Sequence, residues 1–516
     1  MQSALWKTLD QFIADLPRPI LGVTGDSRQV TPGSLFVAIR GGTYDGHQFI
    51  PQAVQRGALA VVGERPDLPL PLPYLVVPDA RLALAYLSAY HHHFPARRMT
   101  MIGVTGTDGK TTTTNLIYHL LAAAGLRAGM ISTVNAVLGE RVTDTGLHVT
   151  TPDAPAVQSY LSEMVRAGLT HCVLEATSHG LAQHRVSACD FDVAVVTNIT
   201  HEHLDYHGSY SAYRAAKAML FESLSSAARK AGQPKVAVLN ADDSSFDHLR
   251  SIPGDRQITY SLTGPADLTA QNLSLGPDGV CFDLVTGGDS LPVRSQLVGK
   301  YNVSNILAAS GAALALGLSP QVIQQGVAQL QGIPGRMQLI RGDQDYTVMV
   351  DFAHTPNSLQ RAIEAGRDMI GLDGRIITVF GSAGLRDVTK RQAMAQTSFR
   401  HADLTVLTAE DPRTESLEAI LADMAAGCAA AGGVEGETFF RLPDRLQAIY
   451  FALTKARPGD LVLICGKGHE QSMCFGDTEY PWDDREAARK ALAALLGSRP
   501  PPHSGLPTAD WDPVGY

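Results

Sequence analysis

The stretch from Met99 to Gly125 constrains this chain more than any other. MTMIGVT (99–105) has the continuous apolar character of a buried strand, and it runs into Thr105-Gly106-Thr107-Asp108-Gly109-Lys110-Thr111-Thr112. The helical pattern KTTTTNLIYHLLAAAG follows and ends at Gly125, a residue suited to the left-handed position that closes a helix. A glycine-containing turn between strand and helix lets backbone amides close round phosphate oxygens, while the helix turns its positive end towards them. Lys110 would then reach the β/γ phosphates and Thr111 would offer its hydroxyl to Mg²⁺. The strict G-x-x-x-x-G-K-[ST] spacing is not met, because Val104 stands where its first glycine belongs. An ordinary turn also carries glycines, but the strand before, the Gly-Lys-Thr-Thr within and the capped helix after point to a nucleoside triphosphate site. Such a site serves either a switch or motor, or the activation of a carboxylate as an acyl phosphate. The loop alone does not choose.

Short apolar runs alternate with helical patterns along most of the chain, which implies an α/β fold. LFVAI (35–39), ALAVVG (58–63) and YLVVP (74–78) read as strands of a first domain, residues 1–97, that ends near FPARR (94–98). A central P-loop-type ATPase domain with a mostly parallel sheet, residues 98–333, adds HCVLEA (171–176), VAVVTNI (193–199), VAVLNA (236–241) and, more weakly, ISTVN (131–135). RIITVFG (375–381), DLTVLTA (403–409) and DLVLICG (460–466) mark a Rossmann-like third domain, residues 334–498, whose loops at the strand carboxyl ends would line a crevice. The Pro-rich residues 499–516 read as a disordered tail. Three domains suit 516 residues, given that one domain usually holds about 100–200.

Forty-two basic against 51 acidic residues give a net charge of −9, which leaves no electrostatic footprint for nucleic acid or an anionic membrane. The six cysteines form no C-x-x-C pair, which fits a reducing compartment and not a disulfide framework. MQSALWKTLDQF does not read as a signal peptide, and no run of about 18 apolar residues offers a membrane span. A cytoplasmic monomer is the expectation.

The phosphate loop is similar to that of the Mur ligases, which join amino acids to a cell-wall precursor, with Asp108 where that family usually has Asn. Glu175-Ala176-Thr177-Ser178-His179-Gly180-Leu181 and Thr197-Asn198-Ile199-Thr200-His201-Glu202-His203-Leu204-Asp205-Tyr206-His207-Gly208 resemble two more of its segments. So do Gly299-Lys300-Tyr301-Asn302-Val303-Ser304-Asn305, Gly335-Arg336-Met337 and Asp351-Phe352-Ala353-His354-Thr355-Pro356. The resemblance implies that Gly106, Thr107, Asp108, Gly109, Lys110, Thr111, Thr112, Asn302, Asn305, Arg336, Asp351 and His354 bind ATP. It implies Mg²⁺ ligands among Thr111, Glu175 and His203, and a lysine at Lys217 carbamylated by CO₂, which would turn a cation into an oxygen donor for a hard metal. Lys110, Lys217, Glu175 and His203 would thus be the catalytic set.

Asp26-Ser27-Arg28, Pro32-Gly33 and Asp45-Gly46-His47 resemble the family's uridine-nucleotide domain, with Gly25, Ser27, Gly42, Thr43 and Tyr44 lining that site. His148-Val149-Thr150-Thr151-Pro152-Asp153 is similar to the branch that adds the third residue, the MurE type. Val149, Thr150, Thr151, Thr177, Gln183 and Arg185 would contact UDP-N-acetylmuramoyl-L-Ala-D-Glu. Glu410-Asp411-Pro412-Arg413 stands where diaminopimelate enzymes read D-N-P-R, and Gly466-Lys467-Gly468-His469-Glu470 follows. Arg413 and Arg386 suit a distal carboxylate and Glu470 a distal ammonium, so meso-diaminopimelate leads L-lysine and L-ornithine. Asp411 adds a negative charge that would favour a plain cationic diamine. A surface acidic turn is the plainer account of Glu410–Arg413. Two rivals stand beside this reading: a relative amidating a folate or polyglutamate carboxylate, and a metal-dependent hydrolase built on His201, His203, Asp205 and His207. His91-His92-His93 reads as a solvated helix end.

Overall fold

The computed structural model describes residues 2–41, 44–66, 68–143, 150–200, 204–500 and 503–510. The chain divides into two compact units, the first comprising Met1–Ala270, Leu284–Leu291 and Ser304–Gly326 and the second Gln271–Asp283, Pro292–Val303 and Val327–Tyr516.

The first unit opens with four parallel strands, β1 (Gly22–Thr24), β2 (Ser34–Val37), β3 (Ala60–Gly63) and β4 (Tyr74–Val76), paired in that order. Successive side chains on a strand point to opposite faces. Leu35 and Val37 therefore pack with Leu5, Leu9, Ala83 and Leu87 of the helices Gln2–Ala14 and Ala80–His91, while Phe36 and Ala38 pack with Ile50 and Ala53 of Ile50–Gln55. His91 and His92, expected to be solvated, are half-buried at the end of their helix, and burial pushes both imidazoles below the usual histidine range.

A larger sheet follows, from β5 (Thr100–Thr105), β6 (Ala128–Ile131), β7 (Ala136–Val137), β8 (Val142–Thr143), β9 (His171–Glu175), β10 (Val193–Val196), β11 (Val236–Asn240), β12 (Arg256–Ser261), β13 (Leu268–Gly276), β14 (Gly279–Thr286) and β15 (Asp289–Ser295). Its order is β15-β14-β13-β12-β11-β10-β5-β9-β6-β7-β8, and β6, β9, β5, β10, β11 and β12 run parallel. β5 lies between β9 and β10, so the loops leaving all three emerge at one carboxyl edge, where open α/β sheets bind ligands. Met101, Leu174, Ala194 and Val196 bury one face against Tyr213 and Phe221 of the helix Tyr210–Ser226. The strand expected at 131–135 lies earlier, at 128–131, because Ser132 N–H bonds Asn135 O (2.9 Å) and turns the chain there.

The second unit is built on β16 (Gln338–Leu339), β17 (Thr347–Asp351), β18 (Ile376–Phe380), β19 (Leu404–Leu407), β20 (Phe439–Arg441) and β21 (Leu461–Cys465), ordered β16-β17-β21-β18-β19-β20. Only the β16–β17 pair is antiparallel. Leu461 and Leu463 face one core and Val462 and Ile464 the other, as in a sheet covered on both sides. A hairpin of β22 (Ser472–Phe475) and β23 (Thr478–Pro481) follows.

Within the segment expected to form a disordered tail, the described residues 503–510 make side-chain contacts with the second unit. Leu506 is buried in the core of the second unit, and Ser504 and Thr508 hydroxyls donate to Asp444 Oδ2 (2.6 and 3.1 Å). Proline-rich composition removes backbone donors but does not prevent one apolar anchor and two hydroxyls from docking. No helix among the described residues is long and apolar enough to cross a membrane.

Candidate active site

The turn after β5 is held from behind by the residues that follow β10. Thr107 N–H donates to Asn198 O (2.7 Å), Asp108 N–H to Asn198 Oδ1 (3.1 Å), and the Thr197 hydroxyl to Asp108 O (2.5 Å). Two amides expected to face a phosphate are therefore engaged with Asn198. The helix Lys110–Ala123 starts at this turn, and the first turn of a helix has no carbonyl one turn back for its amides. Gly106 (φ 151°) and Gly109 (φ 79°) both lie at positive φ. A Cβ on Gly106 would collide with the Thr197 hydroxyl and one on Gly109 with the Asn305 amide, so no larger residue fits either place. Lys110 Nζ curls back onto Thr107 O (2.8 Å). Lys217 is 1% exposed, donates to Gly106 O (2.5 Å) and lies 4.6 Å from the centre of the Tyr213 ring. It is not the surface lysine that its helix position alone would suggest.

Glu175 ends β9 with 1% exposure, and its carboxylate accepts the Thr111 hydroxyl (3.1 Å), Thr133 N–H (3.0 Å) and the Thr133 hydroxyl (2.9 Å). Among the described residues, the hydrogen bonds to this carboxylate thus come from neutral donors. Burying a charge without a counter-ion is costly. Hard carboxylate and hydroxyl oxygens gathered round one such charge suit a divalent cation of the Mg²⁺ kind. Thr133 was missed from the sequence, since it follows β6 in a short turn without a motif of its own.

From the same edge, Thr151 Oγ1 donates to Glu175 O (2.9 Å) and lies 3.1 Å from Thr177 Oγ1. Thr177 caps the helix Ser178–Ala182 through Gly180 N–H. Arg185 donates to Thr151 O (2.7 Å) and Gln183 Oε1 (2.8 Å), and Gln183 reaches the Tyr206 hydroxyl (3.1 Å). Thr151, Thr177, Gln183 and Arg185 thus form one polar cluster, with Thr150 beside it in the chain. Burial holds the Arg185 guanidinium below its ordinary range. In the first sheet, Ser27 bonds Gln52 (2.7 Å) and Tyr44 is 69% exposed, with Gly25 packed against Ile39 and Leu84. Gly42, Thr43, Val149, His201 and His203 lie outside the described residues, as does the side chain of Asp205.

In the second unit, Asp351 ends β17 and accepts Met337 N–H (2.7 Å) and Ala353 N–H (2.8 Å). Arg336 stacks over the Phe352 ring (4.7 Å), which also meets His354 (4.6 Å) and His469 (4.8 Å). Phe352 is thus the centre of a cation–aromatic stack, and neither it nor His469 was among the site residues expected from the quoted segments. Asn302 donates to Val298 O (2.7 Å), while Asn305 in the first unit takes the Thr113 hydroxyl (3.5 Å) beside Gly109.

The stretch Glu410–Arg413 is not the surface turn that its acidity suggested. Glu410 and Asp411 are 6% and 5% exposed, and Pro412 is buried. Desolvation pushes the Glu410 carboxyl above the usual carboxylate range, against the pull of Lys390, Arg445 and Lys467. Gly466 (φ 110°) packs directly on that carboxylate. Asp411 and Arg413 both lie at positive φ, and Arg413 is tied to the hairpin by Arg413 N–H to Cys474 O (3.0 Å) and Gly476 N–H to Arg413 O (2.7 Å). Lys467 holds Asp411 and also pairs with Glu470. Arg386 sits on an exposed loop that Leu385 N–H fastens to Glu415 (2.8 Å).

Known proteins match this arrangement along nearly the whole chain. Residues 19–91 match the Mur ligase family catalytic domain, 104–313 the Mur ligase middle domain, and 335–468 the Mur ligase glutamate ligase domain. A UDP-N-acetylmuramyl-tripeptide synthetase of Roseiflexus sp. (strain RS-1) is 45% identical over 92% of this chain and 95% of its own length. A UDP-N-acetylmuramoyl-L-alanyl-D-glutamate--2,6-diaminopimelate ligase of Geobacillus thermodenitrificans is 42% identical over 92% of the chain and 95% of its own. A solved structure of a ligase with that second name superposes with a TM-score of 0.65 at 34% identity, over 93% of this chain and 96% of that one. With a glycine turn heading a helix, a buried carboxylate beside its first threonine and three family segments in order, the chain belongs to the Mur ligase family.

Proposed function

We propose that this chain is an ATP-dependent amide ligase of the MurE type, joining meso-diaminopimelate to UDP-N-acetylmuramoyl-L-Ala-D-Glu in peptidoglycan precursor synthesis. The observation that carries the reading is the buried Glu175 carboxylate, which among the described residues accepts hydrogen bonds from neutral donors and lies 3.1 Å from the Thr111 hydroxyl at the head of the phosphate-loop helix. A substrate carboxylate and a triphosphate are both anions, and their approach requires positive charge between them. Mg²⁺ held by Thr111, Glu175, His203 and, if carbamylated, Lys217 would supply part of that charge. Lys110 supplies the rest from the protein, next to the γ-phosphate. The D-glutamate side-chain carboxylate attacks that phosphorus, the bond to ADP breaks, and an acyl phosphate forms. The amine nitrogen then attacks the acyl carbon, and the tetrahedral intermediate collapses to amide, phosphate and a released proton.

In this reading Gly25, Ser27, Gly42, Thr43 and Tyr44 hold the uridine nucleotide, and Val149, Thr150, Thr151, Thr177, Gln183 and Arg185 hold the dipeptide. Gly106–Thr112 hold the phosphates, and Asn302, Asn305, Arg336, Asp351 and His354 hold the rest of ATP. Arg386, Arg413 and Glu470 hold the distal end of the diamino acid, in a subsite walled by Glu410, Asp411, Pro412 and Gly466. Residues 1–97 form the UDP-substrate domain, 98–333 the central ATP-binding domain and 334–498 the amino-acid-binding domain, and the enzyme acts in the cytoplasm as a monomer. The named relatives and the family segment at 19–91 favour the UDP-linked substrate over a folate or polyglutamate.

The test is phosphate release with ATP, Mg²⁺, the UDP-dipeptide and, separately, diaminopimelate, lysine or ornithine. Release that depends on both the dipeptide and an amine is expected, and Lys110→Ala should abolish it without loss of UDP-substrate binding. Near-normal ADP production by that variant, or turnover indifferent to amine, would refute the assignment.

A further inference from the structure

Lys467 has a nearly fully buried ammonium, with 1% side-chain exposure, and it meets two carboxylates at once. Its Nζ lies 2.9 Å from both oxygens of Asp411 and 2.6 Å from Glu470 Oε2. Asp411 Oδ1 also accepts Cys474 N–H (2.9 Å), and Asp411 is 6% exposed at its side chain against 21% for Glu470. Asp411 therefore has its charge compensated inside the protein and both oxygens engaged. Glu470 has one oxygen engaged and the more open side chain. Two carboxylates against one ammonium leave a single net negative charge, on the open side.

We infer that Lys467 is a positioning residue that sets the amine preference of the ligase: it withdraws Asp411 from substrate and leaves Glu470 as the more open acid of the pair for a distal ammonium. The inference rests on the ligase reading above. With Arg413 as a cationic neighbour along the chain, the subsite then balances near zero. That balance suits a zwitterionic distal end, ammonium and carboxylate together, over the plain cation of lysine or ornithine. The extra acid at Asp411, which the sequence alone would assign to recognition of a cationic diamine, has no such role. Without Lys467, two adjacent carboxylates would repel a substrate carboxylate and attract a bare ammonium.

The experiment measures kcat/KM for diaminopimelate, lysine and ornithine, with phosphate release as readout, for the wild type, Lys467→Met and the double variant Lys467→Met/Asp411→Asn. Thermal melts accompany each protein. The preference for diaminopimelate over lysine should fall by about tenfold or more in Lys467→Met, since like-charge juxtaposition strongly disfavours one partner. The double variant, which again carries one net negative charge, should return it to within about threefold of wild type. A merely structural role would lower kcat for every amine alike and leave the ranking unchanged, and that result overturns the inference. If the single variant does not fold, the double variant is read first, because it removes both buried charges together. Loss of preference there refutes the inference, and Lys467→Gln, neutral but still able to hydrogen-bond both carboxylates, then takes the place of the single variant: a fall in preference supports the inference and an unchanged ranking overturns it. Wild-type enzyme that ranks lysine or ornithine above diaminopimelate also overturns it. Wild-type protein without any amine-dependent phosphate release would instead sink the ligase reading, and this inference with it, before any variant is made.

Discussion

Replacing Arg445 with methionine tests how the second unit holds its crevice loops. Arg445 and Asp484 are both 0% exposed at their side chains and form a bidentate pair, Nε to Oδ1 and Nη2 to Oδ2, each 2.7 Å. The remaining guanidinium bonds reach Ala409 O (3.0 Å) and Cys465 O (2.8 Å), the residues just before Glu410 and Gly466. One buried cation thus ties the ends of two strands to the elements behind them. Methionine preserves much of the volume but leaves Asp484 with the Trp482 indole N–H (2.8 Å) and strands two carbonyls. Breaking a buried pair by removing one partner costs about 3–5 kcal/mol. For a folding unit of this size, about 4 kcal/mol lowers Tm by about 8–16 °C. Differential scanning calorimetry of the full chain reads that shift directly. The double variant Arg445→Met/Asp484→Leu should recover most of it, because no buried charge is then left alone. A drop of less than about 3 °C in the single variant, where about 8 °C is the least expected, would refute the claim that this pair fastens the loops. So would a KM for the amine equal to that of wild type.

Thr133→Val removes one hydroxyl bond to Glu175 while keeping the backbone one, so the Mg²⁺ concentration for half-maximal turnover should rise about tenfold, as for loss of other supporting bonds to a ligand. A Mg²⁺ titration at saturating ATP checks this, and an unchanged midpoint would count against Glu175 as a ligand. Gly106→Ala forces a side chain into the Thr197 hydroxyl at a backbone angle that alanine disfavours, and should lose ATP binding measured by calorimetry. Burial raises the Asp460 carboxyl, but bonds from the Arg375 side chain and from the Arg375 and Arg457 N–H groups outweigh it and hold it below the usual range. A depressed carboxylate contributes stability above its unfolded value that is lost as pH falls through the folded one. Urea melts should therefore show wild type more stable than Asp460→Asn at neutral pH, with the gap closing as pH falls below the ordinary carboxylate range.

Local pattern made much of the molecule readable. β5, the glycine turn and the helix behind it could be placed because continuous apolar residues, two glycines and a Lys-Thr pair each have one good physical explanation at that spacing. β18, β19 and β21 follow from runs buried on both faces. What needed the tertiary structure were contacts between residues far apart in sequence. Asn198 takes the amides of Thr107 and Asp108 from about ninety positions away. Thr133 finds Glu175 across the sheet, and Leu506 turns an unpromising tail into part of a core. The clearest case is Asp411. Its identity gives a charge, and a charge in isolation argues for a cationic partner from outside. Only the fold brings Lys467, 56 residues later, against both its oxygens and so makes that partner an internal one. A sequence fixes which groups can ionise, but burial and the distance to the next charge decide whether that ionisation faces a substrate or the protein itself.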